Sequence, residues 1–127
     1  VAEQRKPILI LEDNDEWRML LTMLLTHRGL RVVGIGRDPG LGFDWTRFQV
    51  VVCDWMLAGV DPPLVFERYL LPLDPAERPR LAVMSVVEER MLEPALRRLR
   101  VAASEPVPYL DKTWAMQRLF QAIQECL

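Results

Sequence analysis

Residues 50–59, VVVCDWMLAG, decide how this chain is read. Three valines and a cysteine make an unbroken run of small or β-branched residues, the pattern of a strand covered on both faces in a parallel sheet. The run ends on Asp54, and a loop-like segment follows it to Gly59. Open α/β sheets place their chemistry at the carboxyl ends of their strands. Asp54 is therefore a candidate reactive group, and the flanking chain is judged by what it brings to that carboxylate.

Upstream, residues 7–11 (PILIL) form a second apolar run that ends on Glu12 and Asp13. Asp13 or Asn14 can cap a helix there, and Asp15 and Glu16 in its first turn suit the helix dipole. Trp17, Leu20, Leu21, Leu24 and Leu25 fall on one helical face, and Gly29 stops the helix. Residues 30–35 read as a short strand. Residues 38–48 hold Pro39, Gly40 and Gly42, which all oppose a stable helix, so a short or irregular one is expected. The third strand spans residues 49–54.

Downstream, Asp61 followed by Pro62 reads as a cap with proline at the first helical position, opening a helix to about Leu71. Residues 72–80 are a loop, and residues 81–84 are a strand ending on Ser85. Pro94 disfavours a helical Glu93, so the next helix spans residues 94–103, with Leu96, Leu99 and Ala103 inward. Residues 86–93 are then a long loop. Residues 107–110 make a fifth strand before Asp111 and Lys112. Thr113 caps a last helix that buries Leu119, Phe120, Ile123 and Leu127.

Strands alternating with helices predict an α/β fold: a doubly wound three-layer sandwich with a five-stranded parallel sheet and about five helices. The 127 residues suit a single domain over 1–127. Half the residues are hydrophobic and 27% are charged, with a formal net charge of −2, so no basic field argues for direct nucleic-acid binding. Cys53 reads as a small buried hydrophobe, and Cys126 pairs with nothing in the pattern. No apolar run is long enough to cross a membrane and no signal peptide opens the chain, so a cytoplasmic setting is expected.

In a parallel sheet the strand ends share one edge. Glu12, Asp13, Asp54, Ser85 and Lys112 are thereby predicted to converge. Three carboxylates repel unless a cation stands among them, and an oxygen-rich, open site of this kind suits Mg²⁺, which takes its remaining ligands from water and phosphate. Asp54 would then be a carboxylate nucleophile that becomes an acyl phosphate. Lys112 would neutralise phosphoryl charge, and Ser85 would hold a phosphoryl oxygen.

With these residues in order, the whole chain resembles the receiver domain of two-component response regulators. The resemblance implies a flavodoxin-like strand order, 2-1-3-4-5. It implies a metal pair at Glu12 and Asp13, where Glu is a common first residue, and a phosphoacceptor at Asp54. The backbone carbonyl of Met56 is the remaining protein ligand to Mg²⁺. Ser85 is the switch hydroxyl, Lys112 the phosphoryl-binding lysine, and Tyr109 the aromatic that moves inward on activation. A histidine kinase or phosphotransfer protein is the implied donor. The output is a downstream protein or an output domain absent from this sequence, reached through the face of helix four, strand five and helix five, which is also a candidate homodimer face.

The chain departs from the family pattern at four places. Ala58 stands for a usual Pro, Pro62 for a usual Gly, Val86 for a small residue and Thr113 for a Pro that normally follows the lysine through a cis bond. Val86 is predicted to narrow access to Asp54. A cis bond before a non-proline costs about 2.5–4 kcal/mol, so Lys112–Thr113 is expected to be trans. Met56 and Val87 occupy the positions that tune the hydrolytic water, and neither side chain can hydrogen-bond it. That predicts a long-lived phosphorylated state.

Two other readings stand beside the phosphorylatable receiver. One is a degenerate receiver that binds partners without phosphorylation. The other is a turnover phosphohydrolase, opposed by Met56 at the position where such enzymes carry a second Asp. Each site residue also has a plain reading: Tyr109 as a strand aromatic, Ser85 as a strand-end hydroxyl, Lys112 as a solvated lysine. His27 reads as a surface residue compensating a helix end. Residues 97–100 (RRLR) read as a solvated helix face. With no output domain in this sequence, a stand-alone receiver or a part of a longer protein is expected.

Overall fold

Alternate residues along the central strands point into two different cores, which is why those strands stay apolar between their ends. In the computed structural model, which describes residues 5–127, Leu9, Leu11, Val51 and Cys53 belong to one apolar cluster. Ile8, Ile10, Val50 and Val52 belong to the other. The elements run β1 (Ile8–Leu11), α1 (Asp15–His27), β2 (Val32–Ile35), β3 (Val50–Asp54), α2 (Pro62–Val65), β4 (Arg80–Ser85), α3 (Glu93–Ala103), β5 (Tyr109–Asp111) and α4 (Met116–Glu125). All strand pairs are parallel and the order is β2-β1-β3-β4-β5, the predicted doubly wound arrangement. Leu21 and Leu25 of α1 share a cluster with Leu119, Phe120 and Ile123 of α4. Val65 of α2 and Leu96, Leu99 and Ala103 of α3 cover the opposite face.

Local chemistry accounts for the helix starts. Asn14 caps α1, its Oδ1 accepting from Trp17 N at 2.8 Å, with Asp15 and Glu16 in the first turn. Asp61 caps α2, accepting from Leu64 N at 3.0 Å, and Pro62 enters where no N–H is needed. The helix then widens into a π-helical turn, Phe66–Leu70. Arg78 closes its end, donating through Nε to Leu70 O at 2.8 Å.

Several expectations need correction. Among the described residues there are four α-helices where about five were expected, and the short or irregular helix expected at residues 38–48 is a single 3-10 turn, Trp45–Arg47. Gly40 and Gly42 take φ of +81° and +87°, which a helix cannot contain. Aromatic packing replaces the helix, with Phe43, Trp45 and Phe48 in contact and Trp45 stacked on Tyr69. Residues 86–93 are not all loop, because Glu89–Leu92 is a 3-10 turn leading into α3. Glu93 is itself helical despite preceding Pro94, since the proline lies in the first turn where its missing N–H costs no bond. Thr113 does not cap α4, which starts at Met116; its N and Oγ1 both donate to Asp111 Oδ1, at 2.8 and 2.6 Å, in a turn. Leu20 is half-exposed and does not join the core. The fifth strand starts at Tyr109 and not at Val107; Pro108 gives its carbonyl to Val83 N at 2.9 Å but has no N–H to continue the ladder.

Candidate functional site

Strand register assembles the site. Leu11 pairs with Cys53, so Glu12, one residue past β1, comes beside Asp54. Asp54 pairs with Met84, which precedes Ser85, and Ser85 pairs with Asp111, which precedes Lys112. Backbone bonds hold these ends: Glu12 N to Ile35 O at 3.0 Å, Trp55 N to Met84 O at 2.8 Å and Lys112 N to Ser85 O at 2.8 Å. The residues expected to meet at one edge do meet there.

Glu12, Asp54 and Ser85 are the buried polar side chains of the described residues, while Asp13 is exposed. Glu12, Asp13 and Asp54 each offer a carboxylate oxygen, all within 4.8 Å of one another. The Lys112 ammonium stands among them, paired with Glu12 Oε1 and 3.2 Å from Asp54 Oδ2. It also lies 5.7 Å from the centre of the Trp17 ring, an attractive distance for a cation. Glu12 Oε2 accepts from Asn14 N at 3.1 Å, and Asp54 Oδ1 accepts from Met56 N at 3.2 Å.

Burial dominates the acidity of Glu12, pushing its carboxyl up to about 7. The nearby Asp54 adds to the rise, while Lys112 and the Asn14 N–H oppose it. Three carboxylates face one ammonium, so a fully ionised site keeps surplus negative charge. The donor set is all oxygen, with Asp13 open to solvent. That chemistry fits a hard divalent cation such as Mg²⁺, with Glu12, Asp13 and Asp54 as the side chains to hold it.

Ser85 is buried, and its Oγ accepts from Val87 N at 3.0 Å. Tyr109 lies in the core with Leu96 and Leu99 of α3, and the residue is only 7% exposed. Burial raises its phenol, with Ser85 acting in the opposite sense, and its buried Oη has no hydrogen-bond partner of ordinary geometry. Met56 and Val86 are exposed beside this edge, and Val87 is half-buried. The Lys112–Thr113 peptide is trans, as its non-proline character requires. Cys53 is buried behind Asp54, and burial pushes its thiol up, which fits an inert packing role.

His27 is exposed in the last turn of α1, away from this edge. Arg97 pairs with Glu93 at 3.3 Å on the α3 surface and Arg98 is exposed. Arg100 is not part of a solvated face: it donates to Val107 O through Nε at 3.0 Å and to Glu89 through NH2 at 3.2 Å. The sequence reading also passed over Arg18, whose NH1 donates to Glu12 O at 2.8 Å. Its signal was an arginine in the helix after an acidic strand end, opposite Gly34 of the next strand and Gly36 just past it.

No protein-family model matches the chain, and no curated protein matches it in sequence. Solved structures do match in fold. A response regulator receiver domain protein from Bacillus halodurans superposes with a TM-score of 0.73 at 13% identity, covering 98% of both chains. A response regulator receiver domain protein from Clostridium thermocellum gives 0.72 at 17% identity, covering 95% of this chain and 93% of that one. A chemotaxis response regulator of Vibrio cholerae gives 0.70 at 13% identity, covering 98% and 100%. The five-stranded order, the two helical layers and these superpositions give one conclusion: the chain has the fold of response regulator receiver domains.

Proposed function

We propose that this chain is a phosphorylatable receiver, in which Asp54 accepts a phosphoryl group from a histidine kinase or a phosphotransfer protein. One observation carries the reading: Lys112 stands between Glu12 and Asp54 at the carboxyl edge of the sheet, with the Ser85 hydroxyl on the adjacent strand end. An Asp54 carboxylate oxygen attacks phosphorus as the bond to the donor imidazole breaks, leaving an acyl phosphate and a neutral histidine. Lys112 offers its ammonium to the incoming phosphoryl oxygens. Ser85 rotates its hydroxyl toward the same oxygens, giving up its bond from Val87 N. Glu12, Asp13 and Asp54, with the Met56 carbonyl, would hold Mg²⁺, which when bound would add to the neutralisation of phosphoryl charge.

The signal is then read by a downstream protein, an attached output domain or a second copy, at the face of α3, β5 and α4. This is the face expected from helix four, strand five and helix five, renumbered because one helix is missing. Phosphorylation shifts a population between two states, so the partner must prefer one of them. Turnover phosphatase chemistry is disfavoured because Met56 stands where a second acid is needed. Among the described residues no helix is long and apolar enough to cross a membrane, which suits a receiver working in the cytoplasm.

The test is incubation with Mg²⁺ and a small phosphodonor, followed by intact mass. A phosphate-sized gain that Asp54→Asn abolishes supports the reading. No gain from a small donor or from a cognate kinase favours the degenerate receiver, whose support is Ala58, Pro62, Val86 and Thr113.

A further inference from the structure

Arg18 has an unusual posture for a residue near the start of an exposed helix. Its side chain is only 23% exposed and lies across the sheet edge instead of reaching into solvent. NH1 donates to Glu12 O at 2.8 Å, and NH2 to Asp15 Oδ1 at 2.6 Å. The path it takes is open only because two residues of the neighbouring segment lack side chains. A Cβ on Gly36 would stand 2.6 Å from Arg18 NH1 and 3.2 Å from its Cζ. A Cβ on Gly34 would stand 3.0 Å from Arg18 Cγ and 3.0 Å from Thr22 Oγ1. Neither glycine has positive φ, so their backbones suit any residue. What they supply is room.

The bond to Glu12 O matters because of where that carbonyl sits. The Glu12 N–H is already tied to Ile35 O at 3.0 Å. Its carbonyl belongs to the peptide that joins Glu12 to Asp13, just past the last residue of β1. Without Arg18 the carbonyl of that peptide would lose this bond, and the direction in which the chain carries Asp13 away from Glu12 would be less fixed, although the Glu12 carboxylate keeps Asn14 N and Lys112. Mg²⁺ demands near-octahedral oxygens at about 2.0–2.1 Å, so small rotations of its ligands cost affinity.

We infer that Arg18 is a positioning residue for the Glu12–Asp13 pair, and that Gly34 and Gly36 are required so that its guanidinium can lie flat behind them. The inference rests on reading this edge as a cation site. Arg18 supplies no ligand to the cation; it acts through the Glu12 carbonyl. Outer partners of metal ligands commonly change affinity by about 10–100-fold, which sets the scale expected.

The test is calorimetric titration of the full chain with Mg²⁺ alone, with melting of the metal-free proteins as a fold control. Arg18→Ala and Gly36→Ala should each weaken Mg²⁺ binding about ten-fold. Arg18→Lys should fall between them and the unaltered chain, since a lysine can reach one acceptor but lacks the fork. The deciding measurement is the double variant. If Gly36 acts only by giving Arg18 room, Gly36→Ala adds nothing once Arg18 is alanine. Additive losses, or an unchanged affinity in Arg18→Ala and Gly36→Ala while the unaltered chain binds Mg²⁺, would overturn the inference and leave the receiver reading intact. Absence of Mg²⁺ binding by the unaltered chain would overturn both. Should Arg18→Ala fail to fold, Arg18→Lys and Gly36→Ala still decide, because weakened binding in folded protein is required of each.

Discussion

Lys112 Nζ stands 3.2 Å from Asp54 Oδ2 while also pairing with Glu12, so one ammonium serves two buried carboxylates. Its own side chain is 12% exposed, and Trp17 shields it on one side. Removing one partner of a buried ion pair leaves an uncompensated charge, at a cost of about 3–5 kcal/mol. Lys112→Met should therefore lower stability in denaturant by about 3 kcal/mol. Added Mg²⁺ should recover more of that loss in the variant than it adds to the unaltered chain. An unchanged midpoint in the variant would mean that the two carboxylates do not depend on the ammonium.

The raised Glu12 carboxyl makes stability pH-dependent with a definite sign. The group titrates at about 7 in the fold against 4.5 as its ordinary value. Between those values the folded protein keeps a proton that the unfolded chain has lost, so its stabilisation is full below pH 4.5 and is lost as pH rises through about 7. Denaturant midpoints of the metal-free protein should fall across that window, and Glu12→Gln should flatten the trend. Mg²⁺ competes with the same proton, so its affinity should rise over the same interval.

Tyr109 keeps a hydroxyl in the core without a hydrogen-bond partner. An unsatisfied buried polar group costs about 1–3 kcal/mol. Tyr109→Phe should therefore leave stability unchanged or raise it by about 1 kcal/mol. A clear loss in thermal melting would show that Oη is satisfied in solution, with Ser85 as the candidate partner.

Met56 and Val87 present no hydrogen-bonding side chain to water near Asp54. Once Asp54 is phosphorylated, a chain with Met56→Asn and Val87→Glu should lose phosphate several-fold faster than the unaltered chain. Timed mass spectra after removal of the donor measure this directly. Equal or slower loss would dismiss a role for these two side chains.

Trp45 occupies the place of the missing helix, 3% exposed and stacked on Tyr69 with centroids 4.9 Å apart. Trp45→Ala should cost about 3–5 kcal/mol, as large-to-small changes in packed cores do. Leu20→Ala on the half-exposed side of α1 should cost well under that, and unfolding curves of the two variants compare them.

Local rules were enough for the elements whose signal lies within a few residues. Asn14 and Asp61 cap helices because their side chains reach the N–H groups three residues on. The short or irregular helix expected at residues 38–48 from Pro39, Gly40 and Gly42 is a single 3-10 turn, but the aromatic stacking that fixes it depends on Tyr69, far along the chain. Thr113 looked like a cap because only its neighbours were visible; its choice of Asp111 depends on where β5 delivers that carboxylate.

By itself the sequence determined the five strands, the residues that follow them and the chemical types gathered at one edge. An unbroken apolar run has to be covered on both faces, and parallel strands bring their carboxyl ends together. Only the tertiary structure decided how those groups meet. Register set Glu12 beside Asp54, burial raised the Glu12 carboxyl, and Lys112 crossed from the end of β5 to pair with both. Arg18 lying over Gly34 and Gly36 belongs to the same class, because it joins a helix, a strand end and a neighbouring strand. Contacts of that kind depend on distances between segments remote in sequence, and periodicity along the chain carries no record of them.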